Sequence, residues 1–251
     1  MTGHLAVAKV FKSGHGYQKE MDIYEKLDGH TSFLHVLAAC TQPPLSWIVL
    51  PMLPGSLSRC QLAGEDLRAF AIQLARGLHY MHGIGNLHLD VKPANVLFCM
   101  STRHAYLCDF SLQEAYPLPD RTSKNDGMPV MDYVTPQYRP PELWTAPFFV
   151  KRPKNYVSSW TDVWSYGATI LEVAGGRPAF SGKDIKELRD TIAAYCEHRN
   201  GPGSFRESDL WVKVPAWVRQ LCWHACDPAS YRRASLSGSR AGLPWLHSFQ
   251  R

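Results

Sequence analysis

Apolar and polar positions alternate from Leu5 to Phe11, and the segment is rich in β-formers, so it reads as a strand. Gly14 and Gly16 are expected to end it. From Tyr17 to Leu27 the period changes to that of a helix, with Tyr17, Met21, Tyr24 and Leu27 on one face. Phe33 to Ala39 and Trp47 to Leu53 are two short apolar runs separated by Pro43-Pro44, and both read as strands. Pro54-Gly55-Ser56 then marks a boundary between a small β-rich part and a larger part.

Beyond that turn the pattern is dominated by helices. Gly64 to His82 forms a long amphipathic repeat, with Leu67, Phe70, Ala71, Leu74, Leu78 and Met81 on its apolar face. Asn95 to Phe98 and Ala105 to Cys108 are short runs joined by a polar turn, the pattern of a hairpin. Tyr116 to Arg139 is rich in Pro, Asp and Ser without a sustained period, which predicts a long loop; loops of that length are usually functional. From Thr161 onward the pattern is mostly helical.

Composition narrows the class. The 251 residues are 45% hydrophobic and 20% charged, as in a soluble globular chain with a sizeable core. The net charge of +5 is scattered rather than gathered in a run, which argues against nucleic acid as a partner. No apolar stretch is long enough to span a bilayer and the N-terminus is not a signal peptide, so no membrane association is expected. Seven irregularly spaced cysteines do not suggest a disulfide framework and fit an intracellular setting, cytoplasmic or nuclear. Cys222, His224 and Cys226 lie in an apolar helix with two tryptophans, where buried packing is a better reading than zinc.

The chemistry is concentrated in His88-Leu89-Asp90-Val91-Lys92-Pro93-Ala94-Asn95, followed by Asp109-Phe110-Ser111. Phosphoryl transfer needs positioning and charge neutralisation more than covalent help. Asp90 can accept or orient the proton of an acceptor hydroxyl, Lys92 can reach a transferring phosphate, and Asn95 and Asp109 offer oxygen ligands suited to magnesium. Taken singly, each of these residues is read as well as a turn cap or a solvated side chain.

Together they resemble the catalytic and metal-binding loops of eukaryotic-type protein kinases, H-R-D-L-K-x-x-N and D-F-G. Other segments carry the same resemblance. Ala6-Val7-Ala8-Lys9 is similar to V-A-I-K. Glu20, with Tyr24 and Leu27 following, matches the family's glutamate helix. Val134-Thr135-Pro136-Gln137-Tyr138-Arg139-Pro140-Pro141-Glu142 is similar to a segment of the cyclin-dependent, mitogen-activated and related kinases, the CMGC group. Asp162 to Gly167 resembles the D-x-W-S-x-G helix under the catalytic loop. Asp227-Pro228 with Arg232 resembles a late D-P-x-x-R element whose arginine pairs with the counterpart of Glu142. Pro244-Trp245 fits the closing helix.

The resemblance implies an α+β, two-lobed protein-kinase-like fold, with a reduced β-rich N-lobe over 1–53 and a mainly helical C-lobe over 54–251. It implies a serine/threonine protein kinase using ATP and Mg2+, a protein substrate and a regulatory protein partner. In its register Asp90 and Lys92 are catalytic, Asn95 and Asp109 hold the metal, and Lys9 pairs with Glu20 against the phosphates. Glu25 competes for Lys9 but belongs to another helix face. Leu50, Pro51 and Leu53 line the hinge side of the adenine pocket, between Val7 above and Leu97 below. Each of these pocket positions also reads as ordinary core. Lys92 and Thr135 favour serine or threonine acceptors. Thr122, Ser123 and Tyr133 are candidate phosphosites in the long loop. Ser235 follows a basic pair that also reads as structural.

Three departures qualify the expectation. Leu89 replaces an arginine that grips an activation-loop phosphate, so that switch is expected to be absent. Ser111 replaces a glycine, which is expected to restrict the segment. Eight residues precede Lys9, too few for the family's glycine-rich hairpin. A truncated product, an incomplete gene model and a relative without its lid all fit. Weaker nucleotide binding follows, and a pseudokinase scaffold is the alternative function.

Overall fold

The computed structural model describes residues 5–12, 14–41, 45–53, 55–57, 60–111, 134–144, 157–198 and 209–228. Strand β1 (Ala6–Phe11) leads into helix α1 (Gly14–Leu27), followed by β2 (Ala38–Cys40) and β3 (Ser46–Pro51). The strands form an antiparallel sheet in the order β1-β3-β2, with Lys9 opposite Ile48 and Val7 opposite Leu50. Helix α1 turns Tyr17, Glu20, Tyr24 and Leu27 inward; Met21 of the predicted stripe is only partly buried, and the carboxylate of Glu20 joins the buried set.

Two readings of this part are corrected. Gly14 and Gly16 do not terminate the strand; they form the first turn of α1. The first amides of a helix have no intrahelical partner, so glycine costs less there than in the interior. The run from Phe33 to Ala39 is not one strand, since pairing begins only at Ala38. Phe33 makes a single parallel bridge to Leu107, and its N–H bonds the His30 carbonyl across a turn. Its ring is drawn against Tyr80 and Phe110, so aromatic packing overrides the alternation.

Helix α2 (Gly64–Gly83) buries the six predicted apolar positions. Strands β4 (Val96–Cys99) and β5 (His104–Leu107) form the expected hairpin, Val96 opposite Leu107. Helices α3 (Ser159–Gly175), α4 (Ile185–His198), α5 (Asp209–Lys213) and α6 (Ala216–Ala225) complete the larger part. A small β-sheet part with one helix thus joins a mainly helical part, an α+β fold.

Helix α3 is the axis of the larger part. Ser158 and Thr161 cap it reciprocally, and Gly176 closes it in the left-handed conformation. Nearly every later side chain is buried, the polar Thr161, Asp162, Ser165 and Thr169 included. Gly167 lets α6 approach closely: a Cβ there would lie 2.7 Å from Cys226 Sγ and 2.8 Å from Ala225 Cβ. Cys222 and Cys226 are buried and donate to the carbonyls of Gly167 and Trp164, while His224 is exposed. No helix among the described residues is long and apolar enough to cross a membrane.

Candidate active site

Three elements converge on Lys9. It lies on β1, and its Nζ is 2.7 Å from Glu20 Oε2 and 2.8 Å from Oε1. A weaker contact of 3.4 Å reaches Asp109 Oδ1, from a residue one hundred positions away. Glu20 is 3% exposed, so its charge depends on this partner. Burial pulls the Lys9 pKa down, and Glu20 and Asp109 more than reverse it, leaving it raised. Glu25 is exposed on another face of α1, in agreement with the helical geometry.

The second cluster forms where the chain leaves α2. Asp90 Oδ2 lies 2.7 Å from Lys92 Nζ and accepts from Asn95 Nδ2 at 2.8 Å. Asp90 Oδ1 accepts from Thr135 Oγ1 at 2.6 Å, and Thr135 in turn accepts from Lys92 Nζ at 2.9 Å. Pro93 starts a short 3-10 turn ending at Asn95, where its missing N–H costs nothing. Asn95 Nδ2 also donates to the Asp90 carbonyl at 2.9 Å. Both amide hydrogens thus face Asp90, and the Asn95 side-chain oxygen is left with no hydrogen bond among the described residues.

Asp162 of α3 holds this loop from below. It is fully buried and accepts from the His88 N–H, the Leu89 N–H and His82 Nε2, each at 2.8 Å. Burial pushes its pKa up, but His82, His88 and the bonded amide outweigh that and lower it. His88 is fully buried, and desolvation lowers its pKa. Its Nδ1 accepts from the Asp90 N–H at 3.2 Å, which assigns the proton to Nε2, donating to the Cys108 carbonyl at 3.1 Å.

Phe110 is buried, edge-on to Tyr24 at 5.3 Å and to His88 at 5.7 Å. This stack ties α1 to the loop around Asp90. Asp109 takes a left-handed φ of 66°, which its short polar side chain tolerates. Burial raises its pKa, but Lys9 and Ser111 outweigh that and lower it. The left-handed residue of the segment is therefore Asp109, and Ser111 contributes a hydrogen bond to it rather than strain.

Of the expected adenine-pocket residues, Val7, Leu50 and Pro51 lie at one end of the small sheet, on β1 and the central strand β3. Val7 faces Leu50 across the β1–β3 register and is 49% exposed. Pro51 ends β3, and the Met52 N–H bonds the Leu5 carbonyl. Leu50, Pro51 and Leu53 are half-buried. Past Leu53, Ser56 bridges antiparallel to Leu97, bringing the half-buried Leu97 beside the connecting segment.

Several features were not read from the sequence. His82 has no motif to announce it; its only signal is a position in the last turn of α2, six residues before His88. Tyr138 donates to Glu172 at 2.7 Å, fixing the 134–144 segment to α3. Thr122, Ser123, Tyr133, Arg232, Ser235, Pro244 and Trp245 lie outside the described residues, as does most of the long loop.

Residues 5–241 match the family model for the protein kinase domain. A Dictyostelium discoideum protein described as a "Probable serine/threonine-protein kinase" is 25% identical over 219 residues, 84% of this chain and 21% of that protein. Mitogen-activated protein kinase 2 of Arabidopsis thaliana is 35% identical over 151 residues, 59% of this chain and 34% of that protein. The mitogen-activated protein kinase homolog NTF3 of Nicotiana tabacum is 34% identical over 175 residues, 67% of this chain and 41% of that protein. The chain therefore spans less than half the length of these relatives. Its match to the family model covers nearly the whole sequence, and the chain belongs to the protein kinase domain family.

Proposed function

We propose that the chain is a protein serine/threonine kinase that transfers the γ-phosphate of ATP to a protein hydroxyl with Mg2+. The carrying observation is the placement of Lys9 between Glu20 and Asp109, with the Asp90 cluster joined to the same segment through His88 and Phe110. Lys9 is read as the cation for the α- and β-phosphates, oriented by Glu20. Asp90 orients the acceptor hydroxyl and takes its proton. Lys92 compensates charge on the transferring group. Val7, Leu50, Pro51, Leu53 and Leu97 are assigned to the adenine pocket, with Pro51 offering a carbonyl. The lobes are assigned to 1–53 and 54–251.

The oxygen set fits Mg2+. Asp109 supplies a carboxylate that stays ionised, and Asn95 supplies an amide oxygen not spent on hydrogen bonding. Magnesium takes few protein oxygens and shares the rest of its shell with water and phosphate. When bound it neutralises phosphate charge; positioning the acceptor and holding its proton fall to Asp90 and Lys92. A serine or threonine acceptor is supported by the Lys92–Thr135–Asp90 bridge and by the names of the relatives. Likeness to mitogen-activated protein kinases supports a regulatory protein as a second partner.

A thermal-shift titration tests the nucleotide part. At a hundredfold excess over Kd, ligand adds about 2.7 kcal/mol, or roughly 5–11 °C for a chain of this size. The expected result is a shift with ATP that requires magnesium and is lost in Asp109→Asn. A wild-type chain indifferent to both ligands would overturn the reading.

A further inference from the structure

Five buried apolar residues form a cluster separate from the main core: Leu87, Leu89, Val134, Leu143 and Val157. They come from three places. Leu87 and Leu89 immediately precede Asp90, Val134 and Leu143 bracket the segment carrying Thr135, and Val157 precedes α3. None is more than 5% exposed. Leu89 is fully buried yet adopts a φ of 64°, a conformation leucine rarely takes. Its amide is fixed by Asp162 at 2.8 Å, so backbone and side chain are both held.

Val134 is gripped from two sides. Its side chain enters the cluster, and its carbonyl accepts from Arg139 Nε at 3.2 Å and Nη2 at 2.9 Å. Arg139 is itself buried against the Trp144 ring at 4.8 Å. The next residue is Thr135, whose hydroxyl lies 2.6 Å from Asp90 Oδ1. Leu89 is next to Asp90 and Val134 is next to Thr135. Burial of these two apolar neighbours in one cluster therefore constrains the spacing of the two polar ones.

We propose that Leu89 is a positioning residue: with Val134 it forms an apolar latch that registers Thr135 against Asp90 and thereby aligns the protein acceptor. This rests on the kinase reading. In this chain buried apolar packing joins the hydrogen bonds of Thr135 with Lys92 and Asp90 in holding the 134–144 segment to the loop. Misplacing a reacting group by about an ångström costs on the order of a hundredfold in rate.

The test compares Leu89→Ala, Leu89→Met, Val134→Ala, Thr135→Val and the Leu89→Ala/Thr135→Val pair. Hydrogen exchange needs no activity. Tyr138 and Arg139, whose amides bond the Thr135 and Pro136 carbonyls, should exchange faster in Leu89→Ala and Val134→Ala, with α2 and α3 unchanged. In steady-state transfer to a single-serine peptide, Leu89→Ala should lower kcat/KM for the peptide about tenfold or more. The KM for ATP should move less than twofold, and Leu89→Met should restore most of the loss. The double variant should lose no more than Thr135→Val alone. Multiplicative losses in the pair, equal losses in peptide and ATP parameters, or unchanged exchange at 138–139 would overturn the latch. If the wild-type chain transfers no phosphate, the kinase reading fails, and the exchange result alone decides whether the latch exists.

Discussion

Replacing Asp162 with alanine should be among the most damaging single changes to the larger part. The carboxylate is fully buried and accepts three bonds of 2.8 Å, from the His88 and Leu89 amides and from His82. Alanine leaves those donors without an acceptor. An orphaned buried donor costs about 1–3 kcal/mol, and more when a charged partner was involved. Partial relaxation toward water at His82, which is 12% exposed, limits the sum to about 4 kcal/mol. At roughly 2–4 °C per kcal/mol the melting temperature should fall by about 8–16 °C. Asp162→Asn keeps the shape but sets an NH2 group against an N–H donor, so it should recover no more than about half. Thermal denaturation at neutral pH measures both variants. A fall of less than about 3 °C in Asp162→Ala would refute the claim that this side chain anchors the loop.

Other perturbations give distinct signatures. His88 has a depressed pKa, so the unfolded chain binds its proton first; Asp162 and Asp109 are depressed too, so their contribution is lost as pH falls through their folded values. Stability should therefore decline on acidification from about pH 6.5 and more steeply below about pH 4, and a flat profile in calorimetry would contradict this. Glu20→Gln should raise the KM for ATP with a smaller effect on the peptide KM, and equal effects on both would count against its role in holding Lys9. Thr135→Ser should retain most peptide phosphorylation while Thr135→Val loses about tenfold or more, because only the hydroxyl bridges Lys92 and Asp90. Hydrogen bonds from Ser101 and Thr102 lower the Cys99 thiol to about 7, whereas burial pushes Cys108 up to about 12. Mass spectrometry after brief alkylation at neutral pH should find Cys99 modified well before Cys108.

Much of this arrangement was legible in the chain because the informative residues carry local signals. The apolar repeat of α2 and the hairpin of β4 and β5 follow from short-range periodicity, while the pairing of Lys9 with Glu20 follows from the resemblance to protein kinases. Phe33 to Ala39 misled because a run of apolar residues does not record which of them an aromatic cluster will draw out of register. His82 and Tyr138 were missed for a related reason. Their partners, Asp162 and Glu172, lie eighty and thirty-four residues away, and no spacing encodes such contacts. Leu89 shows the same limit. From its motif it is a missing arginine, whereas its burial beside Val134 makes it part of a core that only the fold assembles. Ser111 reads from its motif as a missing glycine, and the fold adds its hydrogen bond to Asp109.

The most direct test of the central claim is phosphate transfer from labelled ATP to a serine peptide, with magnesium, comparing the wild-type chain with Asp90→Asn. Asp90 lies at the meeting point of Lys92, Asn95 and Thr135, and the amide preserves its shape while removing its basicity. The account predicts magnesium-dependent transfer by the wild type and a loss of about a hundredfold or more in the variant. Equal transfer by both chains, or none by the wild type, would contradict it.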